Sequence, residues 1–401
     1  MNYYSPVTPH TIENSEGLLT NLLEKIKREE AAKEDIVCDT RNLGIATRPV
    51  EYGDSVGDSE RRTMLVLDET GAPTQLIPIS RYAHDQLAQK VGIDVRTLRR
   101  LQSDYTAQHD NLLKAIFDQE PKRVLLRTML WDDDVEVLAN RHSRRHLRAI
   151  LSDKFKTFDN VDLLDAVSKT VQNSDAKWKI QKCLHNDRRL VLQFKSETIT
   201  GEGANVGDLM AHGLNISNSE VGCGSVVVSD VYWTLACLNG MQGMNKSRSA
   251  HLTSSRADAE TYAILSQKAK DLDNAALKAK LADWVKEIAK PESFERTCRL
   301  MREAASQTVV DQLGAVQELG NILRLSKPET KSVLDGLMST IQQPGYVGEP
   351  VSKATLANAV TNAANHAEAD KVENWQKLGG QVLNLPNNQW QAVATAEAMA
   401  A

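Results

Sequence analysis

The 401-residue chain contains no apolar run approaching the roughly 18 residues of a membrane span. Its start, MNYYSPVTPH, has neither the basic nor the apolar region of a signal peptide, so a cytoplasmic location is expected. Cys38, Cys183, Cys223, Cys237 and Cys298 are odd in number, widely spaced and never two residues apart. That pattern disfavours both a disulfide framework and a zinc knuckle, and leaves free thiols. Also missing are a Gly-rich phosphate loop with its Lys-Ser/Thr, a Ser or Cys nucleophile motif and the zinc-deaminase pattern. The common enzyme classes are removed, and the sequence calls for no cofactor and no metal. The formal charge is only −5, so nucleic-acid binding would have to come from a local basic surface.

What is present is organised around Gly203 to His251. A loop of Gly, Asn and Ser leads through Ser219-Glu220-Val221-Gly222-Cys223-Gly224 into a β-branched and aromatic run, Val226 to Cys237, that breaks at Asn239-Gly240. Glycines supply backbone conformations that other residues avoid, and Asn-Gly after an apolar run signals a turn. The stretch reads as a folded sheet element flanked by loops. Asn215, Ser219, Glu220 and Asn239 are its candidate loop-site residues, with Glu220 a general base and Cys223 a nucleophile in an enzyme reading. The same residues equally suit a strand-loop-strand turn.

Before this stretch, Leu18, Leu19, Leu22, Leu23 and Ile26 recur at helical spacing within Thr11 to Asp35, an amphipathic helix that docks on the chain's own core or on another subunit. Arg41 to Arg62 reads as a connection, and Met64–Leu67 and Gln75–Ile79 as two short strands. Leu87 to Leu101 fits a helix-turn-helix, with Ala88 for close packing, Gly92 for the turn and Arg96, Arg99 and Arg100 on the outer side. A structural helical hairpin accounts for the same spacing.

Arg123–Leu130 and Val135–Ala139 are expected to pair around the acidic turn Trp131 to Asp134. Three successive aspartates there cannot all converge on one ion. A basic segment follows, with Arg141, Arg144, Arg145 and Arg148, whose guanidinium groups match phosphate oxygens, and then Lys154 and Lys156. The next hairpin alternates. Trp178, Ile180, Leu184, Leu190, Leu192 and Phe194 form an apolar face, and Lys177, Lys179, Gln181, Arg189, Gln193 and Lys195 a polar, basic one. Lysines also guard exposed sheets against edge pairing. With Arg141 to Arg148 on one side and Lys246, Arg248 and His251 on the other, a continuous basic groove is the alternative. Beyond Leu252 the patterns are helical, over Ala257 to Ala289 and Glu295 to Leu325, with a helix start at Ser326-Lys327-Pro328-Glu329.

The blocks Leu147 to Phe155 with Phe158-Asp159-Asn160, Asn215 to Gly222, Cys237 to Met241 and Asn358 to Ala364 resemble a phage and plasmid-like protein family catalogued as domain of unknown function 932. The likeness covers roughly residues 80 to 380 and implies a phage or mobile-element setting.

The expectation is therefore an α+β protein with a central antiparallel sheet, flanking helices and a mostly helical C-terminal third. Its divisions would be 1–62, an amphipathic helix and connection; 63–255, an α+β core; and 256–401, mainly helical. The expected function is single-stranded DNA binding with little sequence preference, serving annealing or recombination, in a homo-oligomer. The expected contacts are Arg141, Arg144, Arg145, Arg148, Lys154, Lys177, Lys179, Arg189, Lys195, Lys246 and Arg248. An enzyme built around Glu220 and Cys223, or a protein that counters host defence, is the alternative.

Overall fold

The computed structural model describes residues 15–49, 61–67, 75–130, 145–203, 209–234, 240–242, 248–250, 265–343, 346–367 and 369–398. Helix α1 (Ser15–Ala32) runs directly into β1 (Lys33–Asp39). Its apolar spacing places Leu22 and Ile26 in the chain's own core, so α1 docks on the body of the molecule.

β1 pairs antiparallel with β5 (Arg123–Leu130), and β5 with β6 (Arg145–Ser152). The partner of β5 is thus the segment read as an arginine cluster; Val135–Ala139 lies outside the described residues. In a strand, successive side chains face opposite ways. Arg145 accordingly stays half-buried, while His146 and Arg148 are buried.

The expected connection over Arg41 to Arg62 carries a strand instead, β2 (Leu43–Pro49), paired with β3 (Arg61–Leu67), which pairs with β4 (Gln75–Pro78). Leu43 and Ile45 face the core with Leu65 and Leu67, and on the other face Gly44 stands against Val66, where an added Cβ would meet Val66 Cβ at 2.9 Å. The missing side chain lets the strands meet and also hides the strand from a reading of apolar density.

Helices α2 (Arg81–Lys90) and α3 (Val95–Asp104) form the expected pair, turning at Gly92 with φ +71°. Ser80 and Asp94 cap them by accepting the amides of Ala83 (3.1 Å) and Thr97 (3.0 Å). Leu87, Ala88 and Leu98 bury with Leu113 and Phe117 of α4 (Thr106–Gln119) against β3 to β6. Arg99 forks onto Asp85 of α2, with both contacts of its Nη2 at 2.5 Å. The pair is built into this core, and one of its three outer arginines serves to join the two helices.

The main sheet runs β7 (Trp178–His185), β8 (Leu190–Glu202), β9 (Leu209–Asn218) and β10 (Val226–Thr234), all antiparallel, with β11 (Gly240–Gln242) and β12 (Arg248–Ala250) both on β10. Leu190, Leu192, Phe194, Leu214, Ile216, Val226 and Val228 cover one face, beneath α1, α5 (Asn160–Gln172) and α6 (Gln267–Ile288). The C-terminal helices are α7 (Pro291–Ala305), α8 (Gln312–Ile322), α9 (Lys327–Ile341), α10 (Lys353–Asn362), α11 (Ala369–Leu383) and α12 (Asn387–Thr395). They share a core with Leu184, Val191, Met210 and Tyr232 of the sheet. Ser326 starts α9 with a capping box, its amide donating to Glu329 Oε2 at 2.8 Å. The molecule is an α+β protein whose C-terminal third is mostly helical.

Candidate nucleic-acid interface and the charged junction beside it

Glu220 sits in the turn after β9 and is 4% exposed. Its Oε1 accepts from Lys33 Nζ at 3.1 Å and from the amide of Asn160 at 2.8 Å, and its Oε2 from Arg148 Nη1 at 2.9 Å. Its backbone carbonyl accepts from Arg127 Nη1 at 2.8 Å, and Arg127 also pairs with Asp35 (2.9 Å) and Asp159 (2.8 Å). This junction ties α1, β1, β5, β6 and the start of α5 to the main sheet. Glu30, Asp159 and Glu220 bring carboxylate oxygens within 4.8 Å of one another, a spacing that suits a cation. The cation already present is the Lys33 ammonium, which contacts all three.

Burial alone would raise the Glu220 carboxyl, but Arg148, Lys33, the Asn160 amide and Arg127 outweigh it and hold the group well below the usual carboxylate range. Burial likewise opposes the Lys33 charge, and Glu220, Asp159 and Glu30 hold the ammonium in place. A carboxylate fixed by two cations and an amide has no lone pair placed to take a proton from a substrate. Ser219 Oγ donates to the Arg188 carbonyl (2.7 Å) and accepts the Cys223 amide (2.8 Å), which closes the turn. Glu220 and Ser219 are joints of the fold.

The opposite face of the main sheet carries Gln193, Asn215 and Ser229 in one register row. Gln193 Nε2 donates to Asn215 Oδ1 (3.1 Å) and to Gln376 Oε1 of α11 (2.6 Å), and Asn215 Nδ2 to Ser229 Oγ (3.3 Å). Alongside, Arg189 donates to Ser217 Oγ (3.0 Å) and pairs with the buried Glu373 of α11. The face read from sequence as an open basic platform is therefore covered here, and its polar groups bond the helix above them. Arg189 belongs to that seam.

Solvent reaches the end of the hairpin. Lys177 and Lys179 are exposed, and Lys195 is half-buried. Lys179 stands directly opposite Lys195 across the β7–β8 pair, and Glu197 contacts Lys179. Lys177 precedes β7 with φ 44°, a left-handed conformation uncommon outside glycine. Its amide donates to the Ser174 carbonyl (3.3 Å) and its carbonyl accepts from Glu197 (3.2 Å). Ser174 lines an open cleft of about 670 Å³ at the ends of α5 and α6, where Lys169, Lys286 and Lys290 are exposed.

The remaining expected contacts divide. Arg148 is buried on Glu220, Arg145 pairs with Glu34 at 2.6 Å, and Lys154 is half-buried. Arg141, Arg144, Lys246 and Asn239 lie outside the described residues, as does the side chain of Arg248. Among the described residues the cations therefore do not share one track, because two of the arginines are spent inside the protein. Lys169, Lys286 and Lys290 were missed, since a lysine near a helix C-terminus reads first as a complement to the helix dipole. No protein-family model, curated protein or solved structure matches the chain. Among the described residues no helix is long and apolar enough to cross a membrane.

Proposed function

We propose that the protein binds single-stranded nucleic acid, DNA in a phage or mobile-element setting, with little sequence preference, and that it serves strand annealing or recombination as a homo-oligomer. The observation that carries this reading is the Lys179–Lys195 pair with Lys177 beside it. Like charges directly opposite across strands are destabilising. A lysine guarding a sheet edge accounts for Lys177 and Lys179, because β7 is the edge strand. It does not account for Lys195, which lies on the second strand. Glu197 already contacts Lys179 and offsets part of the repulsion; a phosphodiester chain laid along this end of the hairpin offsets the rest and takes charge-assisted bonds from all three.

The test is fluorescence anisotropy of a labelled single-stranded oligonucleotide with the wild type and the Lys177→Ala/Lys179→Ala variant. The expected result is weaker binding with a salt slope shallower by about one for each lysine lost. Equal affinity and slope for the two proteins would remove these lysines from the interface.

A further inference from the structure

We infer that the cleft between the ends of α5 and α6 seats one unstacked nucleotide of the bound strand, with its base on an apolar floor and its phosphate on a rim of lysines. This rests on the reading of the chain as a single-strand binder. The cleft's floor includes Ile199 and Ala289, backed by the fully buried Val285, and its rim carries Lys169, Lys286 and Lys290 together with one carboxylate, Asp175. At about 670 Å³ it falls within the range of small-molecule sites, and an apolar base of contacts with a few polar groups is their usual composition.

The rim lysines have ordinary explanations taken singly. Lys169 and Lys286 lie near the ends of their helices, where a cation complements the dipole. Lys286 and Lys290 also have acidic neighbours in α6, Asp283 at 3.6 Å and Glu287 at 2.5 Å. Dipole complementation does not explain why two helices end at one apolar hollow, nor why that hollow abuts Lys177. The turn that lines the cleft, Ser174 to Ala176, hands the chain to β7 through the positive φ of Lys177. Backbone strain in a non-glycine residue gathers at ligand sites. A strand contacting Lys177 is delivered to the cleft mouth, and Lys169, which has no carboxylate partner among the described residues, is placed for the phosphate that follows.

The experiment compares full-length wild type with Asn173→Trp, which fills the mouth from an exposed position whose side chain makes no hydrogen bond, and with Lys169→Ala/Lys290→Ala. Two labelled probes are used, a single-stranded oligonucleotide and the same phosphodiester chain with abasic sites, and adenosine monophosphate is titrated separately by saturation-transfer NMR. Wild type is expected to bind the base-bearing strand about tenfold more tightly than the abasic one, as burial of one face of a base on an aliphatic floor implies. Asn173→Trp should erase that difference and leave abasic binding unchanged, and Lys169→Ala/Lys290→Ala should weaken both probes. Equal wild-type affinity for the two strands, or an Asn173→Trp protein that keeps the difference, overturns the inference while the single-strand reading stands. If neither strand binds, that reading fails; adenosine monophosphate bound by wild type and lost in Asn173→Trp would then preserve the cleft as a nucleotide site, and no signal would overturn it.

Discussion

Glu220 is held by residues far away in the chain, Lys33 at a separation of 187 positions and Arg148 at 72. Removing one member of a buried ion-pair network leaves its partners charged and unmatched, which typically costs about 3–5 kcal/mol. Glu220→Gln should therefore lower the unfolding free energy measured in urea by an amount in that range, and a loss under about 1 kcal/mol would show that the junction is not under electrostatic tension. The pH dependence has a definite sign. The folded carboxyl lies below its ordinary value of 4.5, so its contribution is complete above that pH and is lost as pH falls beneath it. Glu220→Gln should flatten that part of the acid limb.

A second residue-scale device acts at higher pH. His84 and His109 are buried with their Nε2 atoms 3.3 Å apart, and His109 Nδ1 meets Asp110 at 2.8 Å. Burial, then the neighbouring His109, pushes the His84 imidazole down from 6.5 to about 4. The unfolded chain thus takes up a proton first, and stability present above pH 6.5 declines as pH falls toward 4. Urea midpoints at pH 7.5 and pH 5 should differ in wild type and differ less in His84→Gln; a wild-type midpoint that does not move between them would contradict the assignment. Neither device was legible in the sequence. Glu220 stood out because it sits among glycines, but the three cations that fix its role come from β1, β5 and β6, and no local pattern links them.

At the scale of elements, the seam between the main sheet and α11 makes its own prediction. Gln376→Leu leaves the Gln193 amide buried without one partner, at a cost of about 1–3 kcal/mol, whereas Gln193→Leu/Gln376→Leu should lose less than the sum of the single changes. Strict additivity in the unfolding free energies would show that the two amides do not interact. The α9–α10 contact is tighter still, since a Cβ on Gly336 would overlap the Ala359 carbonyl. Gly336→Ala should cost about 1–3 kcal/mol in the same measurement, and a neutral change would mean that the helices separate freely. The alternation revealed β7 and β8, and the helix start at Ser326 was legible too, but a register shift between Ile180 and Lys182 sends Leu184 to the core of the C-terminal helices and not to the face of Ile180 and Leu190. What the pattern lacked was the identity of the cover. Gln193 and Arg189 look like surface residues until α11, about 180 positions later, supplies Gln376 and Glu373.

At the scale of the whole molecule, a sheet with helices against it and a helical C-terminal third followed from composition and period. The division of the cations did not. Periodicity says that Arg148 alternates with Leu147, but only the fold shows that its side chain turns inward to Glu220, and that Lys177, Lys179 and Lys195 are the ones left at the sheet's end. If the protein anneals strands as an assembly, light scattering after size exclusion should give a mass that is a multiple of 44.4 kDa, whereas a monomer at every concentration would separate strand binding from annealing.

The most direct measurement of the central claim is the affinity for one labelled oligonucleotide, single-stranded and as a duplex, across a series of salt concentrations. The account predicts tighter binding to the single strand, with log affinity falling linearly in log salt, and a smaller slope for Lys177→Ala/Lys179→Ala. No binding of the single strand at low salt, or binding indifferent to salt, would contradict it.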